Sequence, residues 1–191
     1  MIEINLGRTE LRLDFSFFAA AAFFLLYGRG KLGAAAFAFC ALHELSHLLV
    51  MSLCGVDVRA VTFCGAGIGI SAHGLEQARP AAQAAVLAAG SLSNIVLSAI
   101  LFVLGFREPA ALCLITGALN LLPAGELDGA RLLRLAALRV APPERVDAIC
   151  RAASALTVGL CLAAIVMFSG RIGLAAAAGA VYFLLMNVLK P

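Results

Sequence analysis

Tryptophan is missing from this sequence, tyrosine occurs twice and histidine three times. Charged residues make up only 13% of the chain, against roughly a quarter in soluble globular domains. So little charge excludes an ordinary water-soluble fold, and a net charge of +3 is too small to point to nucleic acid. No Cys-x-x-Cys pair occurs, and four of the six cysteines lie in apolar segments where the thiol acts as a small hydrophobe. That argues against both a disulfide framework and a cysteine metal site. Cys64, in a glycine-rich stretch, reads as an apolar filler. Residues 1–14 carry Glu3, Glu10 and Asp14 with no apolar run before a small-residue cleavage site, so they do not read as a signal peptide.

What the chain does have is apolar surface. Hydrophobic residues reach 63% and the mean hydropathy is +1.02, the composition of an α-helical integral membrane protein. The length suits a single membrane core over residues 1–191. Six transmembrane helices are predicted, near 15–28, 32–54, 81–104, 110–123, 149–168 and 172–189. Between them, Glu10 to Phe15 alternates polar and apolar as a short strand, with Gly7-Arg8-Thr9 as a turn after an earlier strand. Val56 to Ser71 places β-branched residues around a glycine-rich centre, which predicts a small membrane-associated β-hairpin. Residues 130–140 set Leu132, Leu133, Leu135 and Leu138 against Arg131, Arg134 and Arg139, an amphipathic helix ended by Ala141-Pro142-Pro143. With six spans, ten Arg and Lys residues fall on the side of the termini and four on the other. This places both termini, the hairpin and the Asp128 loop in the cytoplasm of a cell with a multi-pass plasma-membrane protein.

Within the second predicted span lies His43-Glu44-Leu45-Ser46-His47. A shuffled chain of this composition would show HExxH about once in a thousand trials. On a helix, residues four apart share a face, so both imidazoles can hold one metal ion. Glu44 is placed beside them to take a proton from water. From Lys31 to Gly55, only Lys31 and this trio ionise apart from cysteines. Ionisable groups inside a membrane helix are costly and mark function by default. Catalytic zinc takes three protein ligands. His73, the remaining histidine, reads as a surface residue in the loop beyond the hairpin. Asp128 is the better candidate, because it follows a helix broken by Pro123 and Gly125, and irregular backbone near a membrane is tolerated where it lines a polar cavity. In the third span, Gly90-Ser91-Leu92-Ser93-Asn94 suits close helix packing. Asn94 there needs a partner, and helix packing and substrate contact remain equally open.

The stretch Asn120-Leu121-Leu122-Pro123-Ala124-Gly125-Glu126-Leu127-Asp128-Gly129 resembles the NxxPxxxxDG signature of the site-2 proteases, the intramembrane zinc metalloproteases. Paired with HExxH in the second span, it is similar to the sporulation-type branch, the stage IV sporulation protein FB-like members. The resemblance implies that His43, His47 and Asp128 bind one Zn2+ and that Glu44 activates water. It implies that Asn120 contacts substrate or helps polarise the scissile carbonyl, and that Pro123 shapes the loop. The stretch with Gly65, Gly67 and Gly69 resembles the substrate-presenting loop and sheet of the family. Ser46 stands where many members carry Gly, and Ser91 where a Pro often precedes the third-span Asn, matched here by Asn94. No nucleotide-sensing domain, as follows the core in sporulation-type members, is expected here.

The expected activity is therefore hydrolysis of membrane-embedded or membrane-associated protein substrates, including a membrane-tethered transcription or sigma factor. The expected partners are a membrane protein substrate and a regulatory or inhibitory membrane protein, with an oligomer allowed. Two other readings compete. A metal-ion transporter would need acidic or His residues on several spans, and spans one, five and six offer none. A non-catalytic membrane chaperone would keep the fold and lose the base, yet Glu44 is present.

Overall fold

In a computed structural model of the 191-residue chain, residues 1–6, 9–27, 31–65 and 67–168 are described. The predicted span at 172–189 lies outside them. The chain divides into two units, Met1–Leu119 and the residues from Asn120 onward.

The first unit opens with strands β1 (Ile2–Leu6) and β2 (Thr9–Leu13) and helices α1 (Phe15–Tyr27) and α2 (Lys31–Leu53). Strands β3 (Asp57–Cys64) and β4 (Gly67–His73) follow, then α3 (Pro80–Val103) and α4 (Arg107–Asn120). The amino-terminal strands and the hairpin form one sheet in the order β1-β2-β3-β4. β1 and β2 are antiparallel, with Ile4 opposite Leu11. β2 and β3 are parallel, Leu11 opposite Val61, so α1 and α2 form the crossover that parallel pairing requires. β3 and β4 are antiparallel, Val61 opposite Ile70, with a bulge between Val58 and Ala60. His73 is the last residue of β4, paired with Asp57 and exposed, so it lies in the sheet and not in a loop beyond it.

The junction of sheet and helices is set by short polar contacts. Asp14 donates its backbone N–H to the Phe63 carbonyl at 2.8 Å. Its carboxylate accepts the Ser16 N–H at 2.9 Å, capping α1 and holding the carboxyl below its ordinary pKa. Phe17 then packs between Phe37 of α2 and Phe63 of β3, with ring centroids 5.5 and 5.3 Å apart.

Helix α2 shows what its solvent is. His43, His47 and Met51 recur every four residues and are buried. Leu45, Leu49 and Leu53 recur in the same way and are 60, 62 and 78% exposed. The buried row carries the imidazoles and the outward row is leucine, the reverse of a helix in water and the arrangement lipid demands. Met51 packs with Val56 and Val86 into a core joined by Val58, Ile70, Ala72 and Leu75, which binds α2, α3 and the hairpin together.

Among the described residues, three helical segments are long and apolar enough to cross a membrane: Gly33–Leu53, Pro80–Val103 and Pro143–Ile165. The predicted spans at 15–28 and 110–123 are α1 and α4, with 13 and 14 residues. At 1.5 Å per residue the described part of each reaches about 20 Å, against a hydrocarbon core about 30 Å thick. Helix α4 opens on Arg107 and Glu108 and gives way to a turn after Asn120, which limits its apolar length.

The second unit holds that turn, helix α5 (Asp128–Ala137) and helix α6 (Pro143–Phe168). α5 has the predicted amphipathic character: Leu132, Leu133 and Leu135 are half-buried, while Arg131 and Arg134 are exposed. α6 begins six residues before the predicted start at 149, because Pro143 takes the first helical position and the Pro142 carbonyl accepts the N–H groups of Arg145 and Val146.

Candidate metal centre

The geometry begins with one helical turn of α2. His43 and His47 are 4% and 5% exposed, with ring centroids 4.7 Å apart. Their Nε2 atoms approach to 3.1 Å. Two nitrogens on a tetrahedral zinc, each about 2.05 Å from it, would be about 3.3 Å apart. The pair is therefore nearly in register for a shared ion.

The tautomer of His47 is also set. Its Nδ1 lies 2.7 Å from the Val86 carbonyl of α3, an acceptor only, so Nδ1 carries the proton and Nε2 keeps its lone pair. A backbone carbonyl behind a ligating imidazole is the usual means of fixing ring orientation and raising basicity.

Gly90 of α3 makes room for both rings. A Cβ at this position would sit 2.5 Å from His47 Nε2 and 2.6 Å from His43 Cε1. Any side chain there would occupy the space in front of the nitrogens. The sequence showed only a small-residue run at 90–94, and its meaning as a cradle for two imidazoles depends on how α3 is rotated against α2. Glu44 follows His43 directly and is half-buried. Ser46 spends its hydroxyl on the Leu42 carbonyl at 2.7 Å, within the helix.

Asp128 opens α5 in the second unit and is half-buried. Before it, the Ala124 N–H reaches the Leu122 carbonyl at 2.9 Å and the Leu127 N–H reaches the Ala124 carbonyl at 3.2 Å, so Pro123 stands inside a tight double turn. Gly129 is required by this arrangement. A Cβ there would collide with the Leu121 carbonyl and lie 2.7 Å from the Leu122 oxygen. The turn thus presses against the first turn of α5, which fixes the backbone that carries Asp128. Two imidazoles and one carboxylate, the groups that His43, His47 and Asp128 carry, are donor types that zinc accepts.

Asn120 ends α4 and is half-buried. Asn94 is fully buried between α3 and α4: its backbone carbonyl faces the Cys113 thiol at 3.2 Å, and its Cβ lies against Gly117. Contact with a substrate there would require α3 and α4 to part. Gly65 has a structural task, since its N–H donates to Ser16 Oγ at 2.9 Å and a Cβ would meet the Ser16 carbonyl at 3.0 Å. Gly67 and Gly69 lie on β4, opposite Cys64 and Thr62. β4 is an outer strand of the sheet, whereas β3 is paired on both sides. Within the hairpin, an extended chain could therefore add beside β4 but not along the Val61–Phe63 part of β3, which β2 already pairs.

No family model matches the sequence. Over 107 residues, 48% of this chain and 27% of the other, the sequence is 36% identical to "Putative zinc metalloprotease Rip3" of Mycobacterium tuberculosis strain Erdman. The same match holds for the protein of that name in strain H37Rv. The chain thus spans about a quarter of the length of the curated relatives it matches. Among solved structures it is similar to the site-2 protease from Methanocaldococcus jannaschii, with a TM-score of 0.68 and 18% identity over 97% of this chain and 92% of that one. The chain has the fold of a site-2 protease, and its sequence resembles a protein named as a zinc metalloprotease.

Proposed function

We propose that the chain is an intramembrane zinc metalloprotease that hydrolyses peptide bonds of membrane-embedded or membrane-associated proteins. One observation carries the reading: two buried imidazoles in metal-sharing geometry, next to a carboxylate, on a helix long and apolar enough to cross a bilayer. A soluble hydrolase has no reason to place them there. The similarity to Rip3 and the site-2 protease fold support the same chemistry.

His43 and His47 would hold the ion through Nε2, and Asp128 would complete the protein ligands. Zinc, when bound, supplies Lewis-acid polarisation and lowers the pKa of its water to about 7. Glu44 takes the proton from the attacking water and returns it to the leaving amine. Asn120 is assigned to the substrate and Pro123 to the shape of the turn. The outer edge of β4, with Gly67 and Gly69, holds the substrate extended, since a helical segment hides its peptide bonds and must be unwound first. Regulated cleavage of a membrane-tethered transcription or sigma factor, a sporulation-type role, a regulatory membrane partner, and a catalytic cavity opening to the cytoplasm between cytoplasmic termini all belong to this proposal. Their support is the sequence resemblance and the charge asymmetry of the loops.

The test is co-expression with tagged single-span membrane proteins, wild type beside Glu44→Gln. Cleavage by the wild type alone is the expected result. Identical substrate patterns with both would remove the enzyme reading in favour of a binding protein, and zinc uptake into vesicles would favour a transporter.

A further inference from the structure

Within the second unit, a depression of about 260 Å³ lies between α5 and α6. Its polar lining is unusual for the first turns of an apolar helix: Arg131 and Arg134 from α5, and Arg151 and Ser154 from α6. The Gly125 N–H donates to Ser154 Oγ at 3.2 Å, which leaves the hydroxyl proton to donate elsewhere. Two of the arginines are partly compensated. Arg134 pairs with Asp147 at 2.6 Å and Arg131 stands 3.8 Å from Glu126. Arg151 is exposed and, among the described residues, has no carboxylate within ion-pair distance.

The position of Arg151 identifies the ligand chemistry. It is the last charged residue of α6, and everything after it in the helix is uncharged. A crossing by the uncharged stretch from Ala152 to Phe168 puts Arg151 at the hydrocarbon edge, where its long side chain reaches the headgroup phosphates. α5 supplies the other two arginines from an amphipathic helix with half-buried leucines, the kind of element that lies along an interface. Guanidinium forks match phosphate oxygens, and the serine hydroxyl can donate to a third. We propose that Arg131, Arg134, Arg151 and Ser154 form a binding site for a phosphate oxyanion, filled by the headgroup of an anionic phospholipid. The site stands independently of the metal centre and of any proteolysis.

The test titrates purified full-length protein in detergent with short-chain phosphatidylglycerol, short-chain phosphatidylcholine and inorganic phosphate, read by native mass spectrometry. Phosphatidylglycerol should bind in preference to phosphatidylcholine. Arg151→Gln should weaken it about five-fold, the effect of about 1 kcal/mol for one interfacial arginine. Asp147→Asn, which frees Arg134, should tighten it. Arg107→Gln, at the start of α4, should change nothing. Inorganic phosphate bound with the same dependence on Arg151 would sustain the oxyanion site and move its occupant from lipid to soluble phosphate. Equal binding by wild type and Arg151→Gln, or an equal loss in Arg107→Gln, would overturn the proposal.

Discussion

His47 donates its Nδ1–H to the carbonyl of Val86 across 2.7 Å, so an atom of α3 that no substitution can remove fixes the ring of a candidate ligand on α2. One turn later the same helix presents Gly90, where a Cβ would run into both imidazoles. The accuracy of the His43–His47 pair therefore depends on α3 as much as on HExxH. Gly90→Ala should fold, since alanine is a good helix former. It should lose zinc affinity by about ten-fold or more, as changes behind metal ligands do. Zinc retention measured against a competing chelator checks this, and unchanged retention would mean that α3 does not constrain the rings.

Gly129 makes a separate demand. Its missing Cβ lets the carbonyls of Leu121 and Leu122 sit on the first turn of α5. Gly129→Ala should destabilise the protein by about 1–3 kcal/mol, the usual range for forced overpacking. Thermal unfolding in detergent would register this as a lowered midpoint. A wild-type midpoint would show that the turn does not pack as described.

At Gly69 the structure offers room, not constraint: a Cβ would find only the Thr62 carbonyl at 3.9 Å. Gly69→Val should leave stability and zinc content intact. If substrate adds beside β4, the variant should cleave about ten-fold more slowly or worse, since small displacements of a reacting bond are expensive. Unimpaired cleavage would remove β4 as the docking edge.

Asp14 links stability to acid. Its carboxyl accepts the Ser16 N–H, which lowers its pKa in the folded chain. A depressed folded pKa means that the contribution is present above the unfolded value of about 3.9 and is lost as pH falls through the folded pKa. Asp14→Asn should keep the cap and lose that acid dependence. Asp14→Ala should lose both. Unfolding midpoints compared at neutral pH and below pH ~4 would distinguish these outcomes, and identical acid profiles for wild type and Asp14→Asn would contradict them.

Much of the local structure was legible because it is written in short-range patterns. The crossing length of α2, the hairpin around Gly67 and the leucine–arginine alternation of α5 are all of this kind. The pairing of β2 with β3 was not legible, because it joins residues such as Leu11 and Val61 across two helices and leaves no local signature. The same holds for Gly90. A glycine in a membrane helix signals close approach without saying what approaches, and here it is a pair of histidine rings. Hydropathy placed α1 and α4 at the right stretches, but it records how apolar a stretch is, while the reach of a helix depends on where its hydrogen bonds run.

The most direct measurement is zinc per chain in detergent-purified protein, for wild type, His43→Ala, Asp128→Asn and Glu44→Gln. The account predicts near-stoichiometric zinc in wild type and Glu44→Gln, and its loss in His43→Ala and Asp128→Asn. Well-folded wild type without zinc, or zinc indifferent to His43, would contradict it.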